Sequence, residues 1–450
     1  MASRVLQHVP QEDQGANRTL AFLQEILRDY HPRNFAIEIW DGTCWEPEPG
    51  QFRRFTWKIT RAGAVRSVFS NPSELAFAEA YIGGDFDFDG DIEGIFPLAD
   101  YFLNKNWGLK QKLRLEVLLS ELPNDGDLRL VRHGARLSGR LHSKERDRQA
   151  VSYHYDISND FYSLWLGKEM LYSCAHFQKP EDDLDTAQKQ NLDYICRKLR
   201  LKAGERLLDI GCGWGGLIMY AAREYGVNTV GITLSQQQFM LAQERIAKSD
   251  LAGRCQVKLM DYRDLAELEA YDKIASVGMV EHVGEVNLVE YFRRAFRSLR
   301  HGGVFLNVGI ATPQLRFTSE RSVFGDVYMF PDGEMPPLGT IARSAESAGF
   351  EVRDVENLRE HYALTLRDWV RGMEQNSEQA RRLVDEVTYR IWRLHMAGSA
   401  YFFQSGKLHL YQTLLVKNDQ GKSGQPLMRA DWYARRDKPV REPDSAEWTP

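Results

Sequence analysis

The sequence predicts an α/β fold: a doubly wound, mostly parallel sheet with a helical cap, plus a smaller N-terminal α+β domain. Three observations carry that expectation. From about residue 203, apolar runs of strand length (RLLDIG, NTVGIT, CQVKLMD, KIASVGM, GVFLNVGI) alternate with helical patterns such as GGLIMYAAREYG and VEYFRRAFRSLR. Strand alternating with helix builds βαβ units, hence a parallel sheet that binds ligands beyond the carboxyl ends of its strands. The first of these runs ends in an acid and a turn, LLDIGCGWGG, with four glycines in the six residues from Gly211 to Gly216. Residues 19–120 instead mix helical patterns (TLAFLQEILRDY) with strand-like alternation (FRRFTWKIT), the mark of a separate unit.

Taken in order, residues 1–128 form the N-terminal domain. Within it, DFDFDGDIEGIF places Asp85, Asp87, Asp89 and Gly90 as a calcium loop would, but Phe96 stands where a bidentate glutamate is required. A turn with packed aromatics is the better expectation, and no metal is assigned. Residues 129–150 read as a basic linker with a membrane contact. Arg129, Arg132, Arg136 and Arg140 follow helical spacing beside Leu130, Leu137 and Leu141, and 129–148 holds seven Lys or Arg against two acids. Gly134 and Gly139 interrupt that helix, so a solvated linker stays open. Residues 151–418 form the catalytic domain, in which FEVRDVENL and LHLYQTLLVK are expected as edge strands. The aromatic-rich stretches 316–333 and 389–404 are expected as cap and channel walls. The tail 419–450 is polar and expected to be disordered.

Composition bounds the function. With 450 residues, 43% hydrophobic content and a net charge of -5, the chain is long enough for a sizeable core, and a nucleic-acid partner is not expected. Cys44, Cys174, Cys196, Cys212 and Cys255 lack CxxC spacing, which favours a reducing compartment over a disulfide framework. The N-terminus has no apolar core like that of a signal peptide, and no apolar run reaches membrane-spanning length. A soluble cytoplasmic protein is expected.

A turn stripped of side chains lets a ligand approach its backbone, and the following helix N-terminus favours a negative group nearby. Gly211, Gly213 and Gly215 alternate after Asp209, whereas a dinucleotide reader spells Gly-x-Gly-x-x-Gly. That pattern resembles motif I of the S-adenosylmethionine methyltransferases and implies that cofactor. The next strand ends GITLSQQQ without an acid, leaving Thr233, Leu234 and Gln238 to meet the ribose; Tyr262 after the third strand is placed to border the adenine.

Together LDIGCGWGG, VGITLSQQQ, SVGMVEHVG and HYDISNDFYSLWLGKEMLYSCAHF resemble the cyclopropane fatty-acid synthases, from about Val151 to Val416. The N-terminal unit resembles the extra domain of the bacterial phospholipid enzymes at ELAFAEAYIGGDFDFDGDIEGIF. The resemblance implies a Rossmann-like methyltransferase sheet and methyl transfer from S-adenosylmethionine to the cis double bond of a phospholipid acyl chain. It places Tyr172 and Ser173 near the methionine end of the cofactor. It further implies a bicarbonate base held by Cys174, Glu281, Tyr362, the Ile310 amide and a histidine. The histidine is missing: FLNVGI places Val308 there, with Asn307 before it. Valine neither donates nor accepts a hydrogen bond. Bicarbonate binding is therefore in doubt, and either Asn307 or another group substitutes or the cation is resolved differently.

The leading expectation is a cyclopropane fatty acid. The alternative is the same methyl transfer ending in a methylene branch, which a reductase partner would turn into a methyl branch. A different class is a catalytically inactive lipid-binding protein. A bilayer substrate implies peripheral association with the inner face of the membrane, and a homodimer stays open.

Overall fold

The computed structural model describes residues 13–126, 134–313 and 323–433. In the N-terminal domain, β1 (Phe35–Glu38), β2 (Cys44–Trp45), β3 (Phe55–Ile59) and β4 (Phe86–Gly90) form one sheet in the order β2-β1-β3-β4. The acidic stretch is β4 itself. Phe88 lies opposite Trp57 on β3, and the Arg61 guanidinium donates to the Asp85 carboxylate at 2.7 Å. Its phenylalanines pack and its first acid is ion-paired, but Phe86–Gly90 is a paired strand and not the turn expected, because it completes a ladder with β3.

The second sheet takes seven strands: β5 (Arg206–Ile210), β6 (Asn228–Thr233), β7 (Cys255–Leu259), β8 (Tyr271–Val277), β9 (Leu299–Ala311), β10 (Glu351–Asn357) and β11 (His409–Val416). Their order is β10-β11-β9-β8-β5-β6-β7. The chain runs outward from β5 to β7, then returns to β8 on the other side of β5, all in parallel. That reversal opens a crevice at the carboxyl ends of β5 and β8, where doubly wound sheets bind ligands. One expectation is corrected here. Of the two late strands β10 alone lies at an edge; β11 inserts antiparallel between β10 and β9 and is buried along most of its length. Its apolar residues therefore serve both faces of an interior strand.

Two long helices, Arg359–Gln375 and Glu386–Gln404, pack together as the cap over this crevice and against the N-terminal domain. Arg367 forks onto Glu93 with both contacts at 2.6 Å. Arg393, itself buried, donates to the Tyr81 hydroxyl at 3.1 Å and the Phe88 carbonyl at 3.2 Å. A bidentate pair and a buried guanidinium fix geometry as well as proximity.

Two further expectations change. Arg136 and Arg140 lie in irregular chain rather than on a helix; the helix starts later, at Lys144–Tyr155, capped by the Ser143 hydroxyl. Arg129 and Arg132 lie outside the described residues. The tail expected to be disordered is tied down near 430–433, although most of 419–433 is exposed: Trp432 is 1% exposed in the short helix Ala430–Tyr433, and Arg200 pairs with Asp431 at 2.9 Å. Residues 434–450 lie outside the described residues.

Candidate active site

The cofactor cleft is built from strand ends. After β5 the chain turns through Gly211, Gly213 and Gly215 at φ of 85°, 53° and 83°. A Cβ on Gly213 would meet nothing within 4 Å, because it would project into the cleft that Gly211 and Gly213 line. Backbone is thus exposed where a ligand is to lie. Gly215 does not line the cleft; it occupies the position before the helix Gly216–Tyr225. Asp209, Thr233, Leu234, Gln238, Tyr262, Tyr172 and Ser173 all line it.

The second strand end is organised by its own side chains. Ser235 caps the helix Gln236–Ala247 and donates its hydroxyl to Asp156 at 2.5 Å. The Thr233 hydroxyl donates to the Gln238 amide oxygen at 2.7 Å, which orients that amide. Asp209 is the electrostatic feature. Burial pushes its carboxyl up to about 7, and Oδ1 has no hydrogen-bond partner. Such an orphaned carboxylate suits a cationic ligand group, and the bare glycine turn leaves room for one.

A larger cavity of about 1970 Å³ adjoins this cleft. Tyr155, Tyr172, Ser173, Val277, Gly278 and His282 line both spaces. The cavity brings together Cys174, Glu281, Tyr362, Ile310 and Val308, then continues along Phe330, Leu394, Gly398 and Phe402. Its far wall belongs to the N-terminal domain, through Trp57, Phe77, Tyr81, Phe86, Phe88 and Phe102. The stretches 323–333 and 389–404 thus supply channel wall as expected, while 314–322 lies outside the described residues.

Glu281 sits just past the end of β8 in a short turn, Val280–His282. Its Oε1 accepts from the Ile310 backbone N–H at 2.6 Å, and its Oε2 has no partner. Burial pushes its carboxyl up to about 7 against the lowering effect of the Ile310 N–H. Burial therefore lets Glu281 hold a proton far closer to neutral pH than an ordinary carboxylate does. The groups around it are kept neutral. Burial pushes the Cys174 thiol up, and that thiol donates to the Ala175 carbonyl at 3.1 Å. It also raises Tyr155, Tyr172 and Tyr362, and holds His282 and His395 down at about 4. Tyr172 stacks on Trp369 at 5.1 Å, and Tyr362 packs on Phe403 at 4.7 Å, so aromatic faces enclose the carboxylate's surroundings.

The position of the missing histidine is clear. Val308 is buried and faces the cavity, as does Ile310 two residues on. Asn307 faces the opposite side of the sheet, where its amide oxygen accepts from the Tyr291 hydroxyl at 3.1 Å. Side chains alternate across a strand, so Asn307 does not substitute for a histidine at 308. The donor set does not fit a bicarbonate as the resemblance implied it: 308 is apolar, the Ile310 amide already serves Glu281, and the Cys174 thiol serves a carbonyl.

Sequence reasoning passed over two lining residues, Tyr155 and Gln412, and gave His282 no role beyond structure. Tyr155 has its hydroxyl 3.4 Å from His282 Nε2, and His282 joins the two spaces. Gln412 lines the larger cavity from β11. Its signal was a lone polar residue on an otherwise apolar strand face, legible only once that face is known to be buried.

Among known proteins, the family described as mycolic acid cyclopropane synthetase matches residues 142–413, and a domain of unknown function matches 22–107. A probable fatty acid methyltransferase of Pseudomonas putida is 39% identical over 92% of this chain and 100% of its own length. The cyclopropane-fatty-acyl-phospholipid synthase of Escherichia coli K12 is 35% identical over 72% of this chain and 84% of its own. The crystal structure of the mycolic acid cyclopropane synthase CmaA1, complexed with SAH and CTAB, superposes with a TM-score of 0.57 at 33% identity, covering 60% of this chain and 97% of that one. With its glycine turn, strand order and Glu281 turn in place, this chain belongs to the mycolic acid cyclopropane synthetase family of S-adenosylmethionine-dependent methyltransferases.

Proposed function

We propose that this protein transfers a methyl group from S-adenosylmethionine to the cis double bond of an unsaturated phospholipid acyl chain. The observation that carries this reading is the long aromatic and aliphatic cavity that meets the cofactor cleft beside Glu281. Bound in the cleft, the cofactor supplies an electrophilic methyl on a sulfonium. The glycine turn and Gln238 would hold it, and the unpaired Asp209 carboxylate would answer positive charge on it. The cavity aligns the alkene and excludes water, which would otherwise capture the carbocation left by transfer. Tyr172 and Tyr362 present aromatic faces to that cation. The unpaired Glu281 Oε2 accepts the proton the cation loses.

Loss of that proton from the added methyl, with closure, gives the cyclopropane. If a hydride first shifts from the methylated carbon, the cation moves onto that carbon, and loss of a proton from the same methyl then gives a methylene branch. The apolar Val308 and the committed Ile310 amide favour the second outcome, because they leave no polar cradle for a small oxyanion base. Purified protein, methyl-labelled S-adenosylmethionine and vesicles of unsaturated phospholipid should yield label in the acyl chain. Label in the head group, or none, would remove the reading.

Access to that substrate fits a peripheral attachment through the helix Leu109–Ser120. Leu109, Leu113 and Val117, four residues apart, are 74%, 55% and 59% exposed on one face, beside Lys110, Arg114 and Lys112. Leu103, on the cavity rim, is also exposed and lies just before this helix. An apolar stripe flanked by cations next to a lipid channel suits an anionic bilayer. Among the described residues no helix is long and apolar enough to cross a membrane. Leu113→Glu should lower binding to anionic vesicles at least tenfold, on the order of a lost apolar anchor, and salt should weaken binding of the wild type. Unaltered flotation of the variant would refute this. A variant that changes oligomeric state instead would make the stripe a contact between copies.

A further inference from the structure

β11 turns one polar residue to the cavity that packing does not explain. The face it turns to the cavity side reads Leu410, Gln412, Leu414 and Val416, all buried. Gln412 is 1% exposed, yet its amide oxygen has no hydrogen-bond partner. A leucine or methionine would fill that volume without burying an unpaired dipole. The register sets Gln412 directly opposite Val308 and Leu410 opposite Ile310, and all four line the cavity. Residues opposite each other in an antiparallel pair have neighbouring side chains on one face. Gln412 therefore shares the cavity floor with the segment whose Ile310 amide holds Glu281 Oε1.

Three residues that line the cavity hold a buried acceptor without a partner, Glu281 Oε2, Gln412 Oε1 and Asn191 Oδ1, and of these Gln412 is the one set opposite Val308. A buried acceptor left unpaired in the resting protein is satisfied when positive charge develops beside it. A neutral amide also has an advantage over a second carboxylate, since it adds negative potential without raising the proton affinity of Glu281. We propose that Gln412 is a further catalytic residue, whose carboxamide oxygen stabilises the acyl-chain carbocation across the apolar gap left by Val308. The bond changes are those of the methyl transfer already described: the sulfur–methyl bond breaks, a carbon–carbon bond forms, and the cation's proton passes to Glu281. Gln412 contributes its dipole and takes no proton. This assignment rests on the acyl-chain methyltransferase reading.

The experiment compares wild type, Gln412→Leu and Gln412→Glu with methyl-labelled S-adenosylmethionine and unsaturated phospholipid vesicles. Gln412→Leu keeps volume and removes the dipole. It should lower kcat about 100-fold, within the range for loss of one transition-state dipole, while cofactor affinity and KM for lipid stay within about twofold. Gln412→Glu should move the pH profile of kcat to higher pH, because a second carboxylate raises the proton affinity of Glu281. Wild-type kcat in Gln412→Leu would overturn the assignment and make Gln412 a packing residue. A rise in KM alone would also overturn it, since that reports ground-state lipid binding. If Gln412→Leu fails to bind cofactor, Gln412→Met and the pH profile of Gln412→Glu decide by the same criteria. Failure of the wild type itself to label acyl chains would instead strike the proposed function.

Discussion

Replacing Glu281 by Gln is expected to lower methyl transfer by about 10³-fold, in the range seen when a charge-stabilising or proton-accepting group is removed. The same change should raise thermal stability at pH 8. Both follow from one fact: burial lifts this carboxyl from 4.5 to about 7. A group with its proton affinity raised by folding destabilises the native state once it must ionise there. The stability is intact below the unfolded value of 4.5 and is lost as pH rises towards about 7. Above that pH, ionising Glu281 in place costs about 3 kcal/mol more than in the unfolded chain. A glutamine keeps the oxygen that accepts from Ile310 N–H and never ionises, so it escapes that cost. The wild type should show kcat rising with pH through about 7 as Oε2 becomes available, and the variant's residual rate should lose that rise. Thermal melts at pH 5 and pH 8, with cofactor titration as a check on the fold, separate the two effects. A variant less stable than wild type at pH 8, or one with near-normal rate, would show that Glu281 is a structural carboxylate.

Much of this was legible in the sequence because its signals are local. The apolar runs of β5 to β9 are bounded by turns, and the alternate glycines after Asp209 state directly where backbone must be bare. The strand ends then follow in order, so Thr233, Gln238 and Tyr262 fall into the cleft by topology alone. What could not be read depends on pairing between distant segments. The insertion of β11 between β10 and β9 leaves no mark on β11 itself, since an interior strand and an apolar edge strand look alike. The face occupied by Asn307 is set by a one-residue alternation, and only the position of Tyr291 decides it. The anchoring of the exposed segment 419–433 was hidden by its polar composition. A single tryptophan, Trp432, anchors it against the helix Leu184–Leu199, where Arg197 donates to its carbonyl.

Val308→His is expected to change the product rather than the first chemical step. Methyl transfer needs alignment of the alkene with the cofactor and stabilisation of positive charge, and Val308 supplies neither. Deprotonation is different: the ring closes only if a base takes a proton from the added methyl before a hydride shifts, and that depends on where the acceptor stands. In the wild type the unpaired acceptors beside Val308 are Glu281 Oε2 and Gln412 Oε1, both fixed to the walls. An apolar residue at 308 offers no hydrogen bond to a small oxyanion that would reach the added methyl. A branched product or a mixture, with weak bicarbonate dependence, is therefore expected from the wild type. An imidazole at 308 would place a donor on the same face as Ile310 and opposite Gln412, creating a polar contact for such an anion. The variant should shift the product towards the cyclopropane and acquire bicarbonate dependence, with the rate of label transfer within about tenfold of wild type, as for a residue outside the methyl-transfer step. A cyclopropane and a methylene branch have equal mass, so proton NMR or fragmentation of the modified chain must distinguish them. Pure cyclopropane from the wild type, with full bicarbonate dependence, would show that the anion is held without residue 308. Asn307 would remain an unsuitable substitute because it faces Tyr291, and Gln412 would become the group to replace.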